Sequence, residues 1–374
     1  MEFRFIHSSD LHLGKGFGTM AEDLRGRLIE ARHEVIARLA GAARAAGAGH
    51  ILLAGDTFDT TGPSEGVRRQ AARAMAAAED LTWWVLPGNH DNLQGEELWR
   101  LFRAEAGPRV HLLTGPEPVE IAPGAWLLPA PLARQFPGMD LTAPMDSQAT
   151  PEGALRLGLA HGGVTSFGED FDSAPVIAPD RATRAGLDYL ALGDWHGQLS
   201  INDRTWFSGT PESDRFRHAG RGSCLSVVLP GPGAPPQVTP VETGRFHWSA
   251  PALDLTPQSD AVAAFDALLD PDRAARRDQL LRIEAGGFLG MAARGALEDA
   301  AAQAAPDHAF FQLRTAGLRT EYAPDDLDLI ASGGALRRAA DALRAEAAGE
   351  GPAEARADVA QAALNRLWSL VREG

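Results

Sequence analysis

Five short apolar runs in this chain each stop at a cluster of carboxylate, imidazole and amide side chains. They read Phe3–His7 into Ser8-Ser9-Asp10-Leu11-His12, Ile51–Ala54 into Gly55-Asp56-Thr57-Phe58-Asp59, and Trp83–Leu86 into Pro87-Gly88-Asn89-His90-Asp91. Two more follow, Leu155–Ala160 into His161-Gly162-Gly163 and Leu187–Leu192 into Gly193-Asp194-Trp195-His196. Runs this short, bounded by Gly or Pro, read as buried strands. In layered α/β proteins the ligand site lies outside the carboxyl ends of such strands, so the five clusters are expected to converge on one place.

The clusters offer Asp10, His12, Asp56, Asn89, His161, Asp194 and His196 as metal ligands, with no cysteine among them. That is too many for one tetrahedral zinc site, and two adjacent ions sharing a bridging carboxylate fit better. Alternation along a strand end puts Asp10 and His12 on one side of the chain. Asp56, just past a glycine where the backbone turns sharply, is placed to bridge both ions. Asn89 binds through its amide oxygen and leaves His90 free for chemistry. The carboxylate, amide and imidazole mixture suits manganese better than zinc, with magnesium an alternative.

The order D-x-H, G-D-x-x-D, G-N-H-D, H-G and a closing motif ending in His resembles the signature of the calcineurin-like metallophosphoesterases. Any one of these motifs also describes a turn or a helix cap; the ordered set at strand ends does not. The opening Ile6-His7-Ser8-Ser9-Asp10-Leu11-His12-Leu13-Gly14-Lys15 is similar to that of SbcD-type DNA repair exonuclease subunits. The resemblance spans roughly residues 1–215. It implies an α/β fold, a four-layer sandwich of two mixed sheets flanked by helices, followed by a small α+β accessory domain.

It also implies that Asp10, His12, Asp56 and His196 hold one ion and Asp56, Asn89, His161 and Asp194 the other. His90 would act on the scissile phosphate with Asp91 orienting its ring, and Asp59 would stand behind the ligands. Lys15, which follows the first motif, either contacts a phosphate or is simply an exposed loop lysine. Two such cations lower the pKa of water and neutralise charge at phosphorus during in-line attack, so phosphodiester hydrolysis is the expected chemistry. In the resemblance the enzyme is a manganese-dependent DNA exonuclease and endonuclease. It works in repair and recombination with an SbcC-like SMC-family ATPase, and two copies pair through residues following Asn92. A stand-alone phosphodiesterase or phosphatase for a small substrate is the alternative.

One position departs from the pattern. The family usually closes with G-H-x-H, and Asp194 takes the first His place. A further carboxylate brings the summed charge of two ions, Asp10, Asp56 and a hydroxide from about +1 to near zero. The expectation is weaker attraction for an anionic phosphate and an enzyme more demanding of its metal.

Composition bounds the remainder. At 374 residues with 44% hydrophobic content the chain is long enough for two domains and unlike a disordered one. The single cysteine, Cys224, forms no internal disulfide, and no run is long enough to span a membrane or reads as a signal peptide. A cytoplasmic protein is expected. The net charge of −15 argues against a broad basic surface gripping nucleic acid, so local cations, the ions or a partner must hold an anionic substrate. Lys15 is the only lysine.

Helices are expected over Ala21–Ala46 and Ser64–Ala78, the second capped by Ser64. Val110–Leu113, Val119–Ile121 and Trp126–Leu128 read as strands of a second sheet, and Phe136–Thr150 and Thr165–Pro179 as loops. The latter carries Phe167, Glu169, Asp170, Phe171 and Asp172 toward the mouth of the site. Cys224–Leu229 and Gln237–Glu242 complete a nuclease domain of residues 1–250, and Pro251–Pro257 reads as a linker. An accessory domain over 251–332 holds helix 260–269, strand 280–284, helix 292–304 and strand 309–314, with Arg282, Arg294, Arg314 and Arg319 as its DNA-facing cations. Residues 333–374 form two helices. The last carries a stripe of Val359, Ala363, Leu367 and Leu370 that either packs on its own domain or docks on the ATPase.

Overall fold

The computed structural model describes residues 2–164, 177–321, 333–348 and 357–373. Residues 165–176, with the five acidic and aromatic side chains expected to line the site's mouth, lie outside that set. The chain divides into two compact units, Met1–Trp248 and Ser249–Gly374.

The first unit opens as alternating strands and helices: β1 (Phe3–Ser8), α1 (Glu22–Ala45), β2 (His50–Ala54), α2 (Glu65–Ala76), β3 (Thr82–Leu86), α3 (Glu96–Glu105) and β4 (Val110–Leu112). Then come β5 (Val119–Ala122), β6 (Ala125–Ala130), β7 (Leu155–His161), α4 (Arg181–Arg184) and β8 (Tyr189–Gly193). β9 (Leu199–Asn202), β10 (Thr205–Phe207), β11 (Gly220–Leu229) and β12 (Gln237–Ser249) complete it. One sheet runs β4-β3-β2-β1-β11-β12, parallel through β1 and antiparallel beyond; the other runs β5-β6-β7-β8-β10-β9 with antiparallel strands at its edges. Both sheets are therefore mixed, as expected. β4, read from sequence as part of the second sheet, pairs parallel with β3 at the edge of the first. A three-residue strand carries no signal of which sheet it joins.

Strand alternation sorts the apolar runs into layers. In β2 and β3, Leu52, Ala54, Trp84 and Leu86 face the second sheet, where Leu157, Leu159, Tyr189 and Ala191 meet them. Their neighbours Ile51, Leu53, Trp83 and Val85 point the other way, into Val35, Ile36, Leu39, Met75 and Phe102 of α1 to α3. On the far side of the second sheet, Leu190 and Leu192 pack with Met145 and Ala182. Two buried faces explain why these strands read as unbroken apolar runs. Ser64 caps α2 by accepting from the Val67 amide.

In the second unit, β13 (Ala252–Leu255), β14 (Gln279–Gly290) and β15 (Phe310–Glu321) form a parallel sheet, with α5 (Ala261–Asp266) and α6 (Met291–Ala304) on the connections. Leu253, Phe265, Ile283, Leu289 and Leu297 share its core. The stretch read as a linker is thus largely β13: its alternation, with Leu253 and Leu255 buried between exposed neighbours, is too short to stand out between two prolines. Arg294 donates to Glu298, the Leu318 carbonyl and Thr320, and Arg314 pairs with Glu284. α7 (Gly334–Ala347) and α8 (Ala357–Glu373) close the unit. The α8 stripe is rotated from the expected one, since Ala360 and Leu364 are buried, with Leu367, Trp368 and Val371 beside them, while Val359 and Leu370 are exposed.

Phe102 is fully buried, edge-on to Phe58 at 5.4 Å and Trp99 at 5.9 Å. Phe102→Ala is expected to lower stability by about 3 to 5 kcal/mol, read as a fall in urea midpoint with little change in slope; a shift under about 1 kcal/mol would mean the core collapses around the cavity.

Candidate metal centre

The ligand loops are locally strained and stitched together. Among the described residues, the non-glycine residues with left-handed φ are Asp10, His12, Phe17, Asp56 and Asp194, so four of the five are expected ligands. Such backbone costs on the order of 1 to 3 kcal/mol per residue and persists only where the surroundings over-determine it. Here the Asp10 amide donates to the Gly55 carbonyl, His12 to Asp56 and Leu13 to Thr57, binding the first two loops side by side. Glycine is required where loops touch: a Cβ on Gly88 would overlap Asp56 Oδ1, and one on Gly193 would overlap the Ala54 carbonyl.

The side chains converge as the sequence predicts. Asp10, His12 and His196 bring ligand atoms within 4.8 Å of one another, and Asp10, Asp56 and His161 do the same. Asp56 Oδ2 lies 3.7 Å from His12 Nε2 and 3.5 Å from His161 Nε2, so one carboxylate faces both groups. Asn89 Oδ1 is 3.0 Å and Asp194 Oδ1 3.7 Å from His161 Nε2. The Asp194 amide donates to Asp10 Oδ2 at 3.1 Å. His90 is exposed, its ring edge-on to His12 at 4.7 Å, and it too comes within reach of His12 and Asp56.

Tautomers follow from partners that only accept. His196 Nδ1 lies 3.0 Å from the Asp214 carboxylate, so Nδ1 carries the proton and Nε2 presents a lone pair. That lone pair faces His12 Nε2 at 3.2 Å, while His12 Nδ1 sits 3.1 Å from Asp59 Oδ1, off the line of an aligned hydrogen bond. His161 gives Nδ1–H to the Ala54 carbonyl at 2.8 Å, leaving Nε2 among three oxygens. In the ion-free pocket protons hold these contacts, between His12 and His196 and between His161 and its oxygens, and a divalent cation would satisfy the same buried groups in their place. The donor set, oxygens and imidazole nitrogens without sulfur, fits divalent metal.

Proton affinities point the same way. Burial, reinforced by the Asp91 and Asp10 charges, lifts the Asp56 carboxyl well above the usual range although His161 opposes it. Burial likewise raises Asp194. Burial opposes charge on His161 too, but Asp56, Asp10 and Asp194 overcome it and push its imidazole to about 9. Asp10 is held low in spite of burial by His196, His161 and His12. Four clustered carboxylates, Asp10, Asp56, Asp91 and Asp194, lack positive charge until a proton or a metal supplies it.

One expected role differs from the structure. Asp91 does not hold the His90 ring: its oxygens accept from the backbone amides of Gly88 at 2.7 Å and Phe58 at 3.0 Å. Burial raises its pKa to about 6 against those bonds. His90 Nδ1 instead meets the Asp59 carbonyl at 2.9 Å, which fixes the ring from the neighbouring loop. Lys15 ion-pairs with Asp214 at 2.9 Å. Asp214 itself, with Arg32 and Arg215 around it, escaped sequence reasoning. Its one signal was position, just after the Gly209-Thr210-Pro211 turn that follows the last motif. His7, read as packed, bonds Tyr189 and the Leu192 carbonyl.

A profile of calcineurin-like phosphoesterases matches residues 3–196, just over half of the 374. The chain belongs to that family. As a member it is a metal-dependent phosphoester hydrolase. It is 25% identical over 290 residues, 72% of this chain and 67% of the relative, to the uncharacterized metallophosphoesterase YhaO of Bacillus subtilis (strain 168). Among solved structures it matches TT1561 of Thermus thermophilus at 10% identity with a TM-score of 0.40, over 65% of this chain and 100% of that one. Among the described residues no helix is long and apolar enough to cross a membrane.

Because His161 is raised from 6.5 to about 9, its contribution to the stability of ion-free protein is full below about pH 6.5 and lost as pH rises through about 9. A metal must displace that proton. Calorimetric titration of ion-free protein with manganese is expected to show affinity rising with pH up to about 9 together with proton release; a pH-independent affinity would remove His161 from the ligands.

Proposed function

We propose that this chain is a manganese-dependent phosphodiesterase acting on DNA, a nuclease subunit of the SbcD type that works with an SbcC-like ATPase in the cytoplasm. The observation that carries the phosphodiesterase reading is the exposed His90 imidazole, fixed by the Asp59 carbonyl beside the buried ligands. The finer assignment draws support from the Ile6–Lys15 opening and from the α/β unit that follows residue 248.

In this reading Asp10, His12, Asp56 and His196 hold one ion, and Asp56, Asn89, His161 and Asp194 the other. When bound, the ions supply Lewis acidity for a water nucleophile and for the charge gathering on phosphorus. Asp56 would serve both ions, and its other oxygen is held by the His90 amide at 2.9 Å. His90, its Nδ1–H on the Asp59 carbonyl, keeps Nε2 for the substrate, where in its protonated form it would give a proton to the leaving oxygen. The net charge of −15 favours a second reading, a phosphodiesterase for a small ester that needs no extended basic surface.

His90→Ala is expected to lower cleavage of labelled linear and hairpin DNA roughly a hundredfold to ten-thousandfold in manganese with metal affinity largely kept. Bis-p-nitrophenyl phosphate run alongside separates the readings: hydrolysis of the small ester with intact DNA, even with the ATPase present, would support the second. Asp194→His, which removes a negative charge from the centre, is expected to raise kcat/KM and to relax the demand for manganese. Unchanged rate and metal affinity would take Asp194 out of the ligand set.

A further inference from the structure

Beside His196 lies a cluster that the catalytic scheme does not use. The Asp214 carboxylate, its side chain 1% exposed, is ringed by Lys15 Nζ at 2.9 Å, Arg215 Nε at 3.0 Å, Arg32 Nη2 at 3.7 Å and His196 Nδ1 at 3.0 Å. Arg32 is buried and tied to backbone, donating to the Leu11 and Glu212 carbonyls, so it holds the D-x-H loop in place. Glu212, nearby, is matched by Arg38 at 2.7 Å and by the Arg245 and Phe246 amides. One carboxylate therefore faces three cations, two of them, Lys15 and Arg215, with side chains 26% and 45% exposed. In a chain of net charge −15 this is a local positive excess at the rim of the metal centre.

Arg215 is the informative member. Its Nη2 lies 3.2 Å from His196 Nε2, the lone pair that would ligate an ion. A guanidinium donates and cannot accept, so it occupies the direction in which a metal would bind. With that nitrogen holding a cation, the guanidinium would lose this contact while its Nε keeps the Asp214 carboxylate.

We propose that Arg215, anchored on Asp214 and flanked by Lys15, caps the His196 ligand nitrogen before metal binds and thereafter binds the phosphoryl oxygens of the substrate. The site it forms takes a phosphate group and offsets the positive charge that Asp194 removes. Planar, two-pronged donation suits phosphate oxygens, whereas lysine acts only as a point charge. The inference rests on the two-ion reading of the centre.

The two halves of this role make opposite demands on affinity, and that separates it from a structural one. Calorimetric titration of ion-free protein with manganese, then of loaded protein with inorganic phosphate, is compared for the native chain, Arg215→Ala and Arg215→Lys. Arg215→Ala is expected to bind manganese several-fold more tightly and phosphate about tenfold more weakly, with Arg215→Lys recovering part of the phosphate affinity. A KM for bis-p-nitrophenyl phosphate that rises more than kcat falls accompanies it. Unchanged phosphate affinity, or metal and phosphate affinity weakening together, overturns the proposal. The probes are a metal and an ion rather than DNA, so a chain that cleaves no DNA but shows the split keeps this inference, and one that cleaves DNA without it loses the inference alone.

Discussion

The structure depends on an electrostatic constraint: carboxylates and imidazole lone pairs gathered in a buried pocket, with too little positive charge among them. Asp10 and Asp56 are at most 2% exposed, and their ionic neighbours are imidazoles. The left-handed backbone at Asp10, His12, Asp56 and Asp194 aims those groups at one another against its own preference. The glycines at 88 and 193 exist to let the loops come that close. In ion-free protein a proton on His161 and the backbone bonds between the loops offset part of that cost.

Much of this was legible in the sequence because it is periodic or local. β2, β3, β7 and β8 are covered on both faces, so they read as plain apolar runs, and a ligand at the end of a run declares itself by position. What escaped was chemistry joined only in three dimensions. Asp214 meets His196 across 18 residues and Arg32 across far more, and nothing about Glu212-Ser213-Asp214-Arg215 marks it as polar core. Asp91 was misread for a related reason: adjacency to His90 suggests a shared task, yet its carboxylate turns inward to the amides of Gly88 and Phe58. β4 and β13 were misplaced because runs of three or four residues do not reveal which strand they will join.

The acidic character of the chain and its anionic substrate class are reconciled by scale. Net charge acts over distances comparable to the Debye length, about 8 Å at physiological salt, whereas an ion or a guanidinium acts at contact. Asp80 with Arg44, or Asp146 with Arg184, are surface pairs that say little about substrate. The buried Asp214 differs because one carboxylate organises a ligand imidazole and three cations at once. Burial raises its pKa, but those neighbours more than reverse the effect and hold it far below the carboxylate range.

The candidate ligands divide by sheet. Asp10, His12, Asp56 and Asn89 follow strands β1 to β3, while His161, Asp194 and His196 follow β7 and β8 of the other sheet. The surfaces between those sheets are largely hydrocarbon, crossed by the His7 bonds to Tyr189 and the Leu192 carbonyl and by the His161 bond to the Ala54 carbonyl. Metal held by these candidate ligands would tie the two sheets together at that end. Trimming a methylene from Leu157 or Leu159, deep in the seam, would therefore register at the far end as altered spacing between the two halves of the coordination sphere, linking the quality of hydrocarbon packing to the fidelity of the chemistry.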